Sequence, residues 1–335
     1  MDKYDQQLGK NDPNYVPLTP LSFLRRAAEV FPDRLAVIHG VEQRTWAETF
    51  ARCRRLGSAL AARGIKKGDT VAVMAPNVPA LFEAHFGVPV CGAVLNAMNI
   101  RIDAEVIAFI LNHAEAEVLI TDGEFSSVIR EALTKLDKRP LVVDIDDQLA
   151  TSGERLGELT YEELLAEGDP NAPWTLPEDE WNAISLNYTS GTTGNPKGVV
   201  LTQDNLLITS LNCLAFDNIT GEEEVLAYLP MAWVGDNLFS FAQAYVAGFC
   251  VNCPEGPETV MTDLREIGPT YYFAPPAVYE SVLTKVMIRM EDAGKIKRSM
   301  FIYFMDLEKS VGIRLSLIHI SEPTRQRLIS YDVFC

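Results

Sequence analysis

No stretch of this 335-residue sequence stays apolar for the roughly 18 residues that a membrane-spanning helix needs. The opening residues, MDKYDQQLGKNDPNY, are polar and lack the hydrophobic centre of a signal peptide, so the expected compartment is cytoplasmic. Positive charge is scarce: 29 Lys and Arg stand against 46 Asp and Glu, a net charge of −17. That balance excludes a general nucleic-acid binder, which needs a basic footprint, and fits an acidic, solubilising surface. Histidine is rarer still, and His39, His85, His113 and His319 fall in no nucleophile or metal-ligand pattern. Cysteines 53, 91, 213, 250, 253 and 335 are scattered, mostly through apolar runs, as expected of free thiols in a reducing compartment. Cys250-Val-Asn-Cys253 has zinc-knuckle spacing, but no second Cys/His pair lies near it. We read it as a buried strand end and expect no metal site. Internal repeats are also missing.

What the chain does contain is ordinary globular material, 47% hydrophobic and 22% charged, enough for one large domain or two average ones. Thr19-Pro20 predicts a helix start, with Thr as N-cap and Pro at the first position, ending before Pro32. Leu35-Ala-Val-Ile38 is a strand pattern. Thr45-Trp-Ala-Glu48 is a capping box, opening an amphipathic helix that Gly64 closes. A strand Thr70–Met74, a helix Val78–Pro89 and an apolar run Cys91–Leu95 follow. Asp103 caps a helix through His113, and then come a strand Val118–Ile120, a helix Phe125–Leu136 and a strand Leu141–Val143. Short β-branched runs alternating with amphipathic helices predict an α/β fold whose mostly parallel sheet is covered on both faces. From Asp144 to Glu180 the chain is acidic and turn-rich, with a short helix at Tyr161–Ala166. It forms a long excursion before the strand Ala183–Tyr188. Val199–Leu201 and a helix Asp204–Phe216 continue the pattern.

The most informative segment is Tyr188-Thr-Ser-Gly-Thr-Thr-Gly-Asn-Pro-Lys-Gly198, with four small hydroxyl side chains, three glycines and one lysine in eleven residues. Glycines let backbone N–H groups approach a polyphosphate closely, hydroxyls add donors, and Lys197 adds a point charge on a flexible stem. The Walker A pattern G-x-x-x-x-G-K-[ST] fails, because Pro196 stands five residues after Gly191 and Lys197 is followed by Gly198. This is a phosphate loop of another type, and the chain also lacks a kinase loop set.

YTSGTTGNPKG closely resembles the signature of the AMP-forming acyl- and aryl-adenylating enzymes, which include acyl-CoA synthetases, luciferase and peptide-synthetase adenylation domains. The resemblance covers residues 1–314 and implies the amino-terminal part of that family's large domain, parallel-rich sheets covered by helices, in incomplete form. It implies a small-molecule carboxylate, a fatty acid, as substrate, with ATP, Mg²⁺ and coenzyme A. Thr189, Ser190, Gly191, Thr192, Thr193 and Gly194 would hold the β- and γ-phosphates. Lys197 would pair with a phosphate or brace the loop through a carboxylate. Val225-Leu-Ala-Tyr-Leu-Pro230 and the following Met231-Ala-Trp-Val-Gly-Asp236 resemble the element beside the acyl pocket. Trp233 there lines an acyl tunnel or is a core tryptophan. Gly268–Pro276 resembles the strand and loop near the same pocket, making Pro275 a candidate lining residue or simply scaffold. The family's acidic Mg²⁺-holding segment, its ribose-gripping Thr-Gly-Asp and its small carboxy-terminal domain with the catalytic lysine are absent. The expectation is therefore a fragment of an AMP-forming fatty acyl-CoA ligase that is itself inactive and carries no catalytic residue. A non-catalytic nucleotide-binding protein, or a fragment of an aryl- or amino-acid-adenylating enzyme, are the alternatives.

Two irregularities qualify the reading. Leu315-Ser-Leu-Ile-His-Ile-Ser-Glu-Pro-Thr-Arg325 spells a translated sequencing adapter, and Ile329–Cys335 resembles more of it, so residues 315–335 are excluded from the expected fold. Before the signature, Thr45–Glu48, Pro76–Pro79 and Glu83–Phe86 resemble the short- and medium-chain branch of acyl-CoA synthetases. After it, Ala227–Asp236 resembles the long-chain branch, which points to a chimeric sequence joined within the signature, the alternative being one subfamily with mixed features.

Overall fold

The computed structural model describes residues 14–150, 153–189 and 195–320, with side chains as far as Leu307. In chain order the first elements are α1 (Pro20–Val30), β1 (Leu35–His39), β2 (Glu42–Thr45), α2 (Trp46–Ala62), β3 (Thr70–Met74) and α3 (Pro79–Val90). Next come β4 (Val94–Ala97), α4 (Ala104–His113), β5 (Ala116–Asp122), α5 (Ser126–Leu133), β6 (Leu141–Ile145), β7 (Leu159–Thr160) and α6 (Tyr161–Glu167). Then follow β8 (Ala183–Tyr188), β9 (Gly198–Thr202), α7 (Gln203–Asp217), β10 (Glu224–Leu226), α8 (Val234–Asp236), a π turn at Asn237–Ala242, α9 (Gln243–Ala247) and β11 (Cys250–Cys253). The last helices are α10 (Val260–Ile267), α11 (Pro276–Glu291) and α12 (Lys295–Ile320).

The N-caps read at Thr19 and Thr45 form, and Thr160 and Thr202 add two more. The hydroxyl oxygen of each accepts the N–H three residues on, and that residue reaches back in a capping box. Asp103 accepts from the N–H of Val106 and starts α4. Gly64, just past α2, takes φ +91°.

The strands form two sheets, one of seven strands in the order β7-β6-β5-β3-β4-β8-β9 and one of four in the order β10-β11-β1-β2. All neighbours run parallel except two pairs, β1 with β2 and β8 with β9. The expected continuation of the parallel pattern through Val199–Leu201 therefore needs correcting: that strand turns back on β8. Nine residues separate the two strands, fewer than the dozen or more a parallel crossover needs, so the chain can only return as a hairpin.

Helix α3 packs against β1 of the smaller sheet and against β3 and β4 of the larger one. It is apolar nearly all round and buried from Pro79 to Pro89, as a helix between two layers must be. Its close crossing with α2 depends on glycines. A Cβ on Gly57 would lie 2.1 Å from Val90 Cγ1, and one on Gly87 would lie 2.6 Å from Leu56 Cδ2. The acidic excursion is tied down rather than loose. Asp144 Oδ2 accepts from the N–H of Gly157 at 2.6 Å, and the Trp174 indole donates to Leu21 O at 3.0 Å. Cys250 and Cys253 are buried free thiols in β11, a strand as read.

Residues 1–273 form one unit and 274–335 a second. In the second unit α11 packs on α12, which continues beyond Arg314 through Leu315 to Ile320; residues 321–335 lie outside the described set. No helix among the described residues is long and apolar enough to cross a membrane.

Candidate functional site

β4 and β8 lie side by side and parallel, with Leu95 opposite Ser185, so the loops that leave their carboxyl ends emerge together. In parallel α/β sheets this is the edge that gathers ligands. The Asn96 side chain ties the pair by donating to Leu186 O at 2.6 Å. Asn96 Oδ1, Ser185 Oγ and Asn187 Oδ1 are buried here with no hydrogen-bond partner among the described residues. At the end of β8, Tyr188 is held towards α4 by a 2.7 Å hydrogen bond with His113 Nδ1.

The phosphate-loop candidate is the tip of the β8–β9 hairpin. Its neck is closed by the Thr189 N–H donating to Lys197 O at 3.0 Å, and by the Lys197 N–H donating to Thr189 Oγ1 at 3.4 Å. The structure thus brings the first and last of the predicted loop residues together, both exposed. Ser190, Gly191, Thr192, Thr193 and Gly194 lie outside the described residues. Of the two partners foreseen for Lys197, a bracing carboxylate is not found among the described residues. Among the described residues no group of three His, Cys, Asp or Glu side chains is placed to hold a metal ion.

The second half of the site is the turn after β10. Trp233 sits on it, 36% exposed, with the Arg101 guanidinium 5.3 Å from its ring centre. It is not a core tryptophan. Arg101 follows β4, so this stacking joins the loop beyond β4 to the turn beyond β10. Gly235 lets the Phe273 ring lie against the same turn, because a Cβ there would come 2.9 Å from Phe273 Cε1. Phe273 in turn stacks on Phe239 at 4.2 Å. Tyr271 bridges to Val225 in parallel sense, so the Gly268–Phe273 stretch extends the small sheet beside β10. Pro275 belongs to the second unit, where it occupies the N-cap position of α11.

Sequence reasoning missed the residues that hold this turn. Asn77, between β3 and α3, donates from Nδ2 to Ala227 O and Leu229 O, each at 2.7 Å, and to Asp236 Oδ2 at 3.0 Å. Its Oδ1 accepts the Met231 N–H at 3.0 Å. Asp236 Oδ1 accepts from Ser240 Oγ at 2.8 Å. Asn237 donates to Met231 O at 3.3 Å and meets His85 Nε2 at 3.2 Å. His85 Nδ1 lies 2.7 Å from Leu81 O, so Nδ1 carries the proton and Nε2 accepts from Asn237. Burial lowers His85 to about 4, which keeps that ring neutral, and burial pushes Asp236 up to about 7. Asn77, His85 and Asp236 fall in stretches read above only for their resemblance to synthetase branches, Pro76–Pro79, Glu83–Phe86 and Ala227–Asp236; the further signal is polarity out of place, single Asn and Asp side chains inside apolar runs.

Comparison with known proteins gives one picture. The model of the family described as AMP-binding enzyme matches residues 24–320. An acetate/butyrate–CoA ligase, peroxisomal, of Arabidopsis thaliana is 42% identical over 291 residues, covering 82% of this chain and 51% of that protein. An acetate–CoA ligase of Humulus lupulus is 42% identical over 290 residues, covering 82% and 51%. The chain spans about half the length of the curated relatives it matches. Among solved structures, a long-chain-fatty-acid-CoA ligase from Archaeoglobus fulgidus shares the fold, with a TM-score of 0.72 at 20% identity, over 84% of this chain and 56% of that one. The inhibitor-bound amino-terminal domain of FACL13 from Mycobacterium tuberculosis superimposes with a TM-score of 0.68 at 25% identity, covering 78% and 63%.

Proposed function

The chain belongs to the AMP-binding enzyme family, and from that premise we propose that it is the amino-terminal part of a ligase that joins a carboxylic acid to coenzyme A. In the proposed reaction a carboxylate oxygen attacks the α-phosphorus of ATP, pyrophosphate leaves, and an acyl-adenylate forms. The thiol of coenzyme A then attacks the acyl carbon and AMP leaves. Both first reactants are anions, so the protein's task is to hold them in line and offset charge.

The observation that carries the proposal is the closed neck of the antiparallel β8–β9 hairpin, at the carboxyl end of the parallel pair β4 and β8. It supports Thr189, Ser190, Gly191, Thr192, Thr193, Gly194 and Lys197 as the phosphate grip. We propose an acid with an apolar tail, a fatty acid, lying along the turn that carries Trp233 and against the Phe239–Phe273 stack. The acids in the relatives' names, acetate and butyrate, are short, and chain length is the open variable of this proposal. Mg²⁺ would be held by residues beyond those described. The compartment proposed is the cytoplasm, although one relative is called peroxisomal.

We also propose that this chain alone makes no acyl-adenylate, that residues 315–335 are translated adapter, and that the two sides of the signature come from different genes. Calorimetric titration of the purified chain with pyrophosphate tests the phosphate grip. Binding should be lost in Lys197→Ala and weakened in Thr189→Val; equal binding by all three proteins would refute it. Acyl-adenylate formation by the chain from ATP and butyrate or octanoate would refute the proposed inactivity.

A further inference from the structure

The turn Ala227–Asp236, which carries the tryptophan proposed to face the acid, is neither strand nor helix before Val234; its internal brace is the Trp233 N–H donating to Pro230 O at 2.8 Å. The rest of its shape is set from outside. The Asn77 side chain binds it at four points: two carbonyls, one N–H and one carboxylate. Asn77 is anchored where β3 gives way to α3, in the most buried part of the molecule, so it transfers that rigidity to the turn. Asp236 closes the other end, gripped by Asn77 and by Ser240. Resting on the reading of this turn as the acid's binding wall, we infer that Asn77 and Asp236 are positioning residues for the carboxylate substrate. Together they form a latch that fixes Trp233.

A purely structural link would be served by a neutral side chain, since burying an uncompensated carboxylate is costly. Asp236 is 3% exposed and has no cation partner among the described residues. The groups around it are Asn77, Ser240 on its own helical segment, the Cys253 thiol of β11, which feels its charge, and neutral His85 of α3 beyond Asn237. The Asn77 amide has two N–H groups and three acceptors within 3.0 Å, so the carboxylate competes with Ala227 O and Leu229 O for them. Adding a proton to Asp236 weakens its claim and returns both N–H groups to the turn's carbonyls. The latch is therefore sensitive to the charge on Asp236, and Trp233 reports it through the backbone link from Trp233 O to the Asn237 N–H at 2.9 Å.

The test is fluorine NMR of the full chain labelled with 5-fluorotryptophan, which gives four resonances from Trp46, Trp174, Trp181 and Trp233. Trp233→Phe assigns the relevant one. Between about pH 5.5 and about pH 8.5 the Trp233 resonance should shift with a midpoint set by Asp236, while that of Trp46 stays fixed as a check on folding. In Asp236→Asn the titration should vanish with the resonance still sharp, because the amide can satisfy Asn77 with its oxygen and Ser240 with its N–H. In Asn77→Ala the Trp233 line should move towards the position of a freely solvated indole. A Trp233 resonance that does not titrate in the parent chain, or that titrates equally in Asp236→Asn, overturns the inference. A separate titration with butyrate and octanoate addresses the underlying reading. If neither acid moves the Trp233 resonance although pH does, the acid-wall reading fails while the latch itself is seen.

Discussion

Arg52→Met isolates the most exposed dependency in the core. Glu83, in the middle of α3, is fully buried, and its Oε1 accepts from Arg52 Nε at 2.6 Å while its Oε2 accepts from the Tyr161 hydroxyl at 2.9 Å. Arg52 also forks onto Glu162 at 3.0 and 2.5 Å. Glu162 is largely exposed, so losing that contact costs at most ~1 kcal/mol. Stranding a buried carboxylate costs about 3–5 kcal/mol, and that dominates. Burial already raises the Glu83 carboxyl above its usual value, against the pull of Arg52. A carboxyl raised in the native state binds its proton more readily there than in the unfolded chain. Its contribution to stability is therefore complete below the unfolded value and lost as pH rises through the folded one. Removing Arg52 raises Glu83 further, so the penalty should be near its full size at about pH 8 and visibly smaller at about pH 5. Urea unfolding of the chain at the two pH values measures it, and Arg52→Met combined with Glu83→Gln should recover most of the loss. A penalty under about 1 kcal/mol at the higher pH, or one equal at both, would refute the assignment of Glu83 as a charge held by Arg52.

Gly57→Ala should destabilise by about 1–3 kcal/mol in thermal unfolding despite alanine's better helix propensity, because the new methyl meets Val90 and the Gly87 carbonyl across the α2–α3 crossing. Val200→Lys, on the exposed edge strand β9, should reduce self-association in sedimentation or light scattering without changing unfolding midpoint by more than about 0.5 kcal/mol. A single long sequencing read from the start codon past the codon for Arg314 should continue into an acidic Mg²⁺ motif and a catalytic-lysine domain; a read that encodes this tail and stops at Cys335 would refute the adapter proposal. The same read shows whether one molecule joins both sides of the signature.

The helix starts were legible because capping is local. Thr45 and Glu48 satisfy each other within one turn, and nothing distant is needed to see it. Strand direction was not legible, because an apolar run such as Val199-Val200-Leu201 has no sense written into it. The available clue was the length of the connection, too short for a crossover to a parallel neighbour. β2 escaped for a different reason. Glu42-Gln-Arg-Thr45 is polar and half exposed, held as a strand by its ladder to β1 rather than by its own composition. Gly40, with φ +54° at the turn between them, was the one local sign of a hairpin.

The site divides along the same line. The proposed phosphate loop is a contiguous motif, so Thr189 and Lys197 are both named from sequence. The Ala227–Asp236 turn is held by Asn77, 159 positions from the Asp236 it grips, and no periodicity links the two. The edge of the large sheet carries a related lesson. β9 exposes Val199 and Val200, and α7 behind it exposes Ile208, Leu211 and Phe216. β9, Gly-Val-Val-Leu-Thr, has neither the charge nor the proline that often protects a natural sheet edge. The opposite edge, β7, is two residues long, and β2 bears Glu42 and Arg44. Of the two edges of the large sheet, β9 is thus the longer and the more apolar, on the strand that leaves the proposed phosphate loop. The Val200→Lys substitution tests whether that edge drives self-association.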